Sequence, residues 1–250
     1  MKTRLGLCLP VLAVLLLPPS GVRAQSGGAG KLGTETTAKV VITGTTTPQE
    51  LARAAFLAQG GEKFRNLKSM ILSGTVDLYA PNSVQSLPGK FVVVNSGERQ
   101  RVEIQSPVFN FRQISNGDKS FTSVKGMEFP SLNKTGINAL MKYDRSGYAI
   151  TAIADDKKLR GFRITDPEGY ATDFYVDAAN GRVVRYMIPY QGYKFGVENS
   201  SLKEINGVLV PYAFSQRMET PQGAFFAEYK VKDVKLDVEI EDNVFDIPEQ

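Results

Sequence analysis

From Ser69 onward the chain alternates apolar and polar residues almost without a break. A period of two marks a half-buried strand, because successive side chains leave opposite faces of a pleated sheet. The runs MILSGTVDLYA, KFVVVN, RQRVEIQ, FNFRQIS, KSFTSV, KLRGFRIT, ATDFYVD, RVVRYMI, FGVENSSLKEI, VLVPYAFSQRM and AFFAEYKV all read this way. Asn116-Gly117, Asn180-Gly181 and Asn206-Gly207 fall between runs, and Asn-Gly is a strong hairpin signal because both residues accept positive φ. The pattern predicts an antiparallel meander.

Two stretches break the rule. In ATDFYVDAANGRVVRYMIPY, residues 171–190, Phe174 and Val176 share a face and Tyr175 takes the other. On the returning strand, strict alternation sets Val183 and Met187 against Val184, Tyr186 and Ile188, so neither face is cleanly polar. This predicts a sheet covered on both faces, with the second cover either a packed core or a cavity. Further on, Tyr229 and Val231 give way to Val234, Leu236, Val238 and Ile240, a one-residue slip that predicts a bulge near Lys232-Asp233.

Helical signals are few. Thr47, Pro48 and Glu50 form a cap, a first-turn proline and a capping box. Leu51, Ala54, Ala55 and Ala58 follow on one face, Gly60-Gly61 ends the run, and EKFRNL adds a further turn. Within the sheet sequence, TGINALMKYDR (135–145) puts Ile137, Leu140 and Met141 on one helical face. A meander of about ten strands must curl, and with so few helices to cover it the expected fold is mainly β (α+β). The predicted architecture is a curved antiparallel sheet, a half-open β-barrel closed by a few helices.

The first residues carry Lys2 and Arg4, an apolar run to Leu17, Pro18-Pro19, and Val22 and Ala24 at the positions of a cleavage site. This reads as a secretory signal peptide over 1–24. Residues 25–46, rich in Gly and Thr, read as a flexible tether in which KVVI could pair as a short edge strand. A single domain over 47–250 is expected to follow. No later segment is long and apolar enough to read as a membrane span, so the expectation is an exported, periplasmic chain, soluble after cleavage.

Export changes the picture of charge and chemistry. Losing Lys2, Arg4 and Arg23 with the signal brings the formal charge from +4 to +1, which is no footprint for nucleic acid. The sole cysteine, Cys8, lies in the signal, and the chain has no histidine. Thiolate nucleophiles, Cys/His zinc sites and Ser-His-Asp chemistry are excluded from the mature chain. Carboxylates remain. Asp155-Asp156 reads as a solvated turn, and Asp237, Glu239 and Glu241 share one face of an extended strand, where a solvated face competes with a calcium site. No catalytic residue, metal ligand or cofactor is assigned.

The aromatic positions carry more. Phe91, Phe109, Phe111, Phe121, Phe174, Tyr186 and Phe214 are spread over successive strands, alongside Phe225 and Phe226. In a half-open barrel a subset of the first seven, with Leu140 and Met141, would line a cavity for a lipid chain or other apolar ligand, against the reading that all are core. Arg99 and Arg101 share a strand face and could latch a helix or hold an anionic headgroup, against simple exposure.

The export signal, the segment AQGGEKFRNLKSMILSGTV, the run GERQRVEIQSPVFNFRQISNGDKSFT, and the later FYVDAANGRVVRY and VFDIP together resemble the bacterial outer-membrane lipoprotein-sorting (Lol-type) carriers. The resemblance spans roughly 47–248. It implies a curved antiparallel sheet closed by helices, with a cavity that accepts the acyl chains of lipoproteins. It also implies a strand arginine, here Arg99 or Arg101, that ties the helical lid shut. The chain departs from the pattern in lacking tryptophan and in carrying a long tether. The implied partners are an acylated lipoprotein or lipid ligand, envelope proteins as donor and acceptor, and transient contact with a membrane surface. The competing expectation is an envelope protein-binding or stress-sensing module with a filled core.

Overall fold

The computed structural model describes residues 41–124, 129–220 and 223–248. The segments expected to be a signal peptide and most of a tether lie outside them. Twelve strands form one antiparallel sheet: β1 Met70–Tyr79, β2 Ser86–Ser96, β3 Arg99–Gln105, β4 Asn110–Asn116, β5 Lys119–Thr122, β6 Ala149–Ala152, β7 Leu159–Thr165, β8 Ala171–Asp177, β9 Val183–Tyr190, β10 Tyr193–Ile205, β11 Val208–Thr220 and β12 Gly223–Leu236. Their order is β5-β4-β3-β2-β1-β12-β11-β10-β9-β8-β7-β6. β5 and β6 are consecutive in the chain yet form the two opposite edges, so the sheet is not closed, and residues 129–148 of the connection between them cross its open side. The mainly β half-barrel is the fold observed. β6 is the one strand that the alternation did not reveal, because Ala149, Thr151 and Ala152 on it are all exposed.

Register resolves both irregularities. Ser73 pairs with Asp233 and Gly74 with Val231, which leaves Lys232 as the extra residue of the expected bulge. In the 171–190 hairpin Tyr175 pairs with Arg185 but Val176 with Val183, so Val184 is looped out. That bulge moves Val183 onto the face of Phe174, Val176, Tyr186 and Ile188. Thr172, Phe174, Val176 and Val183 are fully buried there. The second face carries Asp173, Tyr175, Arg185 and Met187. The doubled apolar pattern was a hidden shift of register, and the hairpin has one apolar face.

Three short helices cover this inner face: α1 Pro48–Ala58, α2 Glu62–Arg65 and α3 Ile137–Met141. The α1 cap is as expected. Thr47 N–H donates to the Glu50 carboxylate at 2.8 Å and Glu50 N–H to Thr47 Oγ1 at 3.3 Å. The backbone hydrogen bond from Thr47, then its hydroxyl, hold the Glu50 carboxyl below its usual range. Leu51, Ala52, Ala55 and Phe56 of α1 pack with Ala139 and Leu140 of α3 onto Phe162, Ile164, Phe174, Val176 and Val183. Ile42 joins this cluster, and Arg160 donates to the carbonyls of Gly44 and Thr46 at 3.3 and 3.5 Å, so the last residues before α1 are held against the sheet. Val41 and Ile42, the described half of KVVI, belong to no strand.

A second cluster fills the other half of the inner face: Leu72, Val76, Phe91, Ile104, Phe214, Tyr229 and Val231, capped at one end by Phe64 of α2 and by Ile137 and Met141 of α3. A third lies on the outer face. β12 ends at Leu236, where Asp237 turns with φ 55°, and the chain runs back through a 3-10 turn at Asp242–Phe245. Phe245 is fully buried against Val94 and Ile114, with Ile71, Phe121 and Ile240 beside it. The strand assumed for Asp237, Glu239 and Glu241 therefore does not exist. Asp237 Oδ1 accepts from Lys68 N–H at 2.9 Å, and no acidic cluster able to hold a metal is found among the described residues.

Candidate functional site

The inner face is assembled row by row from cross-strand pairs. One row runs Phe111, Ile104, Phe91, Gly74, Val231, and its neighbour Gln113, Val102, Val93, Leu72, Val234. A third runs Phe174, Tyr186, Val197, Gln216, Ala227, Leu78, Leu87. None of these positions is charged. The polar ones are amides and hydroxyls, and Tyr229 spends its hydroxyl on Gln216 Oε1 at 2.6 Å. Burial pushes the Tyr186 and Tyr229 phenols well above their ordinary range.

Most expected cavity residues meet on this face. Phe91, Phe174 and Leu140 are fully buried, and Phe214 is nearly so. Phe214 stacks on Tyr229 at 4.5 Å and Phe91 meets both edge-on. Tyr186 packs against Phe174 at 6.0 Å. Phe111 and Met141 are half-buried in the second cluster. Phe109 is exposed at the rim and stacks on Phe111. Phe121 is the exception: it pairs with Ile114 on the outer face, beneath the C-terminal segment, and belongs to no inner site. Two depressions on the described surface, of about 580 and 500 Å³, are lined chiefly by outer-face residues: one by Tyr175, Arg185, Met187 and Arg217, the other by Thr75, Pro88, Lys90 and Gln105.

Arg99 and Arg101 do not reach the helices. Their register places them on the outer face. Arg99 pairs with Asp242 at 2.6 Å and lies over the Phe245 ring, while Arg101 donates to the Val244 carbonyl and to Glu103, both at 2.6 Å. Burial raises the Glu103 carboxyl, but hydrogen bonds from Arg101 and Arg112 outweigh it and hold the group low. The cation that ties helix to helix is Arg65. It donates from Nε to the Met141 carbonyl at 2.9 Å, pairs with Glu62 and Asp144 at 2.8 Å, and covers the Phe56 ring. Lys142 pairs with Glu98, and Asn138 reaches Gln100 at 3.2 Å, joining α3 to the β2–β3 turn. Asp155 and Asp156 are committed to Arg160 and Arg185, at 2.9 and 2.5 Å.

Sequence reasoning missed the link that bridges the open side. Phe129 meets Phe111 of β4 at 5.3 Å and Phe195 of β10 at 5.7 Å. Beyond it the backbone is held by polar side chains of the inner face: Gln113 donates to the Pro130 carbonyl at 3.1 Å, Ser115 Oγ accepts from Leu132 N–H at 3.3 Å, and Thr172 Oγ1 accepts from Gly136 N–H at 3.0 Å. The available signal was three buried polar residues, Gln113, Ser115 and Thr172, at inward strand positions.

No protein-family profile and no curated protein sequence matches the chain. Solved structures do. A LolA superfamily protein from Nitrosomonas europaea superposes with a TM-score of 0.52 at 14% identity, over 80% of this chain and 98% of that one. An outer membrane lipoprotein-sorting protein domain from Vibrio parahaemolyticus gives 0.49 at 11% identity over 79% and 95%. A DUF1329 family protein from Desulfovibrio piger gives 0.49 at 10% identity over 80% and 95%. The chain thus has the fold of a LolA superfamily protein, the fold that the resemblance implied.

Proposed function

We propose that the chain is an exported, non-enzymatic carrier or receptor for the acyl chains of a lipoprotein or for another uncharged, apolar ligand, held between the inner face and its cover. The observation that carries this reading is the inner face itself. Phe91, Phe111, Phe214 and Tyr229 line a surface on which the three cross-strand rows traced above hold no charge, the inward Arg160 and Lys203 lying in other rows, beneath a cover of short helices and one bridging segment. Each buried methylene contributes roughly 0.8 kcal/mol, so even part of an acyl chain supplies ample binding energy before ordering costs. Phe91 and Phe174 are fully buried beneath that cover, so a ligand reaching them requires it to move.

The rim fits transfer at a membrane surface. β1, β3 and β9 run toward the same end of the sheet, and there Val84 is 95% and Val108 71% exposed, with Leu87, Phe109 and Phe225 beside them. The turns 80–85 and 106–109 contain no charged residue. No described helix is long and apolar enough to cross a membrane.

The test is native mass spectrometry of protein purified from membranes without delipidation. Bound lipid, or uptake of added lipopeptide, is the expected result. A clean apo mass with no response to lipopeptide would count against carriage. It would favour the second reading, an envelope protein-binding module, for which the outer-face groove of about 580 Å³ speaks.

A further inference from the structure

Phe111 and Phe195 lie on strands six places apart in the sheet order. Laid flat, that separation would be about 29 Å at 4.8 Å per strand. Curling brings the two walls close enough for one ring, Phe129, to touch both, at 5.3 and 5.7 Å between centroids. Yet Phe129 belongs to none of the three buried clusters and is only half-buried. It is an aromatic group inserted between apolar walls from a separate segment of chain. Around Phe129 that segment is seated by hydrogen bonds to Gln113, Ser115 and Thr172, and only further along do Ala139 and Leu140 of α3 anchor it in the apolar core. Hydrogen bonds of this kind can be exchanged for water when the segment lifts, which leaves the ring contacts as the part of the seat that an apolar ligand can replace.

We propose that Phe129 is an intramolecular stand-in for the ligand: its ring occupies the place between Phe111 and Phe195 that an acyl chain takes, and binding expels it. This rests on the carrier reading. The apparent affinity is then the intrinsic affinity reduced by the fraction of molecules in which the ring is out. Removing the ring raises that fraction. A roughly tenfold gain in affinity corresponds to about 1.4 kcal/mol, in keeping with the loss of two ring contacts.

The chain contains no tryptophan, so Phe129→Trp introduces a single reporter at the proposed site. Titration of this variant with palmitate is expected to shift its emission to the red as the indole leaves the cleft. Phe129→Ala, with a circular dichroism spectrum like that of the unaltered protein, is expected to bind palmitate roughly tenfold more tightly. If palmitate binds while the indole emission stays fixed, the stand-in is overturned. If Phe129→Ala binds as the unaltered protein does, or more weakly, Phe129 is a wall of the site and the proposal fails while the carrier reading stands. If none of the three proteins takes up palmitate or a diacylated lipopeptide, the carrier reading falls and this inference with it.

Discussion

Arg101 on β3 and Val244 near the C-terminus are joined across the outer face by a 2.6 Å hydrogen bond from guanidinium to carbonyl. With Arg99 on Asp242 and Asn116 on the Phe245 carbonyl, it fastens the C-terminal segment over Val94 and Ile114. Hydrogen bonds to charged groups contribute about 1.5–3 kcal/mol. Arg101→Ala is therefore expected to lower stability by that amount and to speed amide exchange from Ile240 to Ile247, with palmitate uptake unchanged. Altered uptake with unaltered exchange would instead make Arg101 the helical latch that the family resemblance implied.

Leu140 and Met141 are neighbours on α3 with different surroundings. Facing a partly empty cavity, Leu140 would lose little on truncation, but it is fully buried among α1, Phe162 and Phe174. Leu140→Ala is expected to cost about 2–5 kcal/mol, in the same range as Phe174→Ala at about 3–5. Half-buried Met141 should cost less than about 2 kcal/mol when cut to alanine. Urea denaturation of the three variants gives the order, and Met141→Ala as the most damaging would show that α3 turns Met141 rather than Leu140 toward the sheet.

The fold was legible because alternation, Asn-Gly turns and the capping box at Thr47 are local signals. Each depends on residues within one or two turns of each other. Bulges are less visible. The one at Lys232 showed because apolar residues flank it on both sides, whereas the one at Val184 masqueraded as a second apolar face, since Val184 is itself apolar. The site was harder to read. Phe121 and Phe111 lie on adjacent strands with similar surroundings in sequence, and only pairing sends one out to Phe245 and the other in to Phe129. Arg99 and Arg101 went the same way: two arginines on one strand face are obvious, but whether that face meets helices or the C-terminal segment is decided far away in sequence.

Alkaline pH should weaken the inner face. Burial raises the Tyr186 and Tyr229 phenols in the folded protein, against about 10 for an unfolded tyrosine. A raised folded pKa stabilises fully below the unfolded value and is lost as pH rises through the folded one. Stability is therefore expected to be level between pH 7 and about 9 for these groups and to fall above about 10. Tyr229→Phe should cost about 0.5–1.5 kcal/mol at neutral pH by orphaning Gln216, and should make the alkaline fall shallower. Denaturant midpoints measured along the pH series check this, and an equally steep fall in the variant would exclude Tyr229 as a source.

Gly74 and Gly196 both sit inside strands, where glycine weakens pairing unless something needs the space. A methyl group at Gly74 would run into the carbonyl of Lys230, beside the bulge at Lys232, and would press on the Phe91 ring at 3.0 Å. The carbonyl belongs to the ladder of β12 and cannot move without breaking the register that turns Val231 inward. At Gly196 the nearest atom is Met187 Sδ at 2.6 Å, the far end of a flexible side chain on the open outer face. Overpacking in a rigid surround costs about 1–3 kcal/mol or more. Gly74→Ala is expected at or above the top of that range, with loss of the second cluster's packing and of ligand uptake. Gly196→Ala should stay within about 0.5 kcal/mol, because Met187 can swing into the groove and the strand gains a better residue. Thermal unfolding of the two variants side by side decides it: similar losses would mean that the inner face yields as easily as the outer, and that the bulge does not fix the register beneath the site.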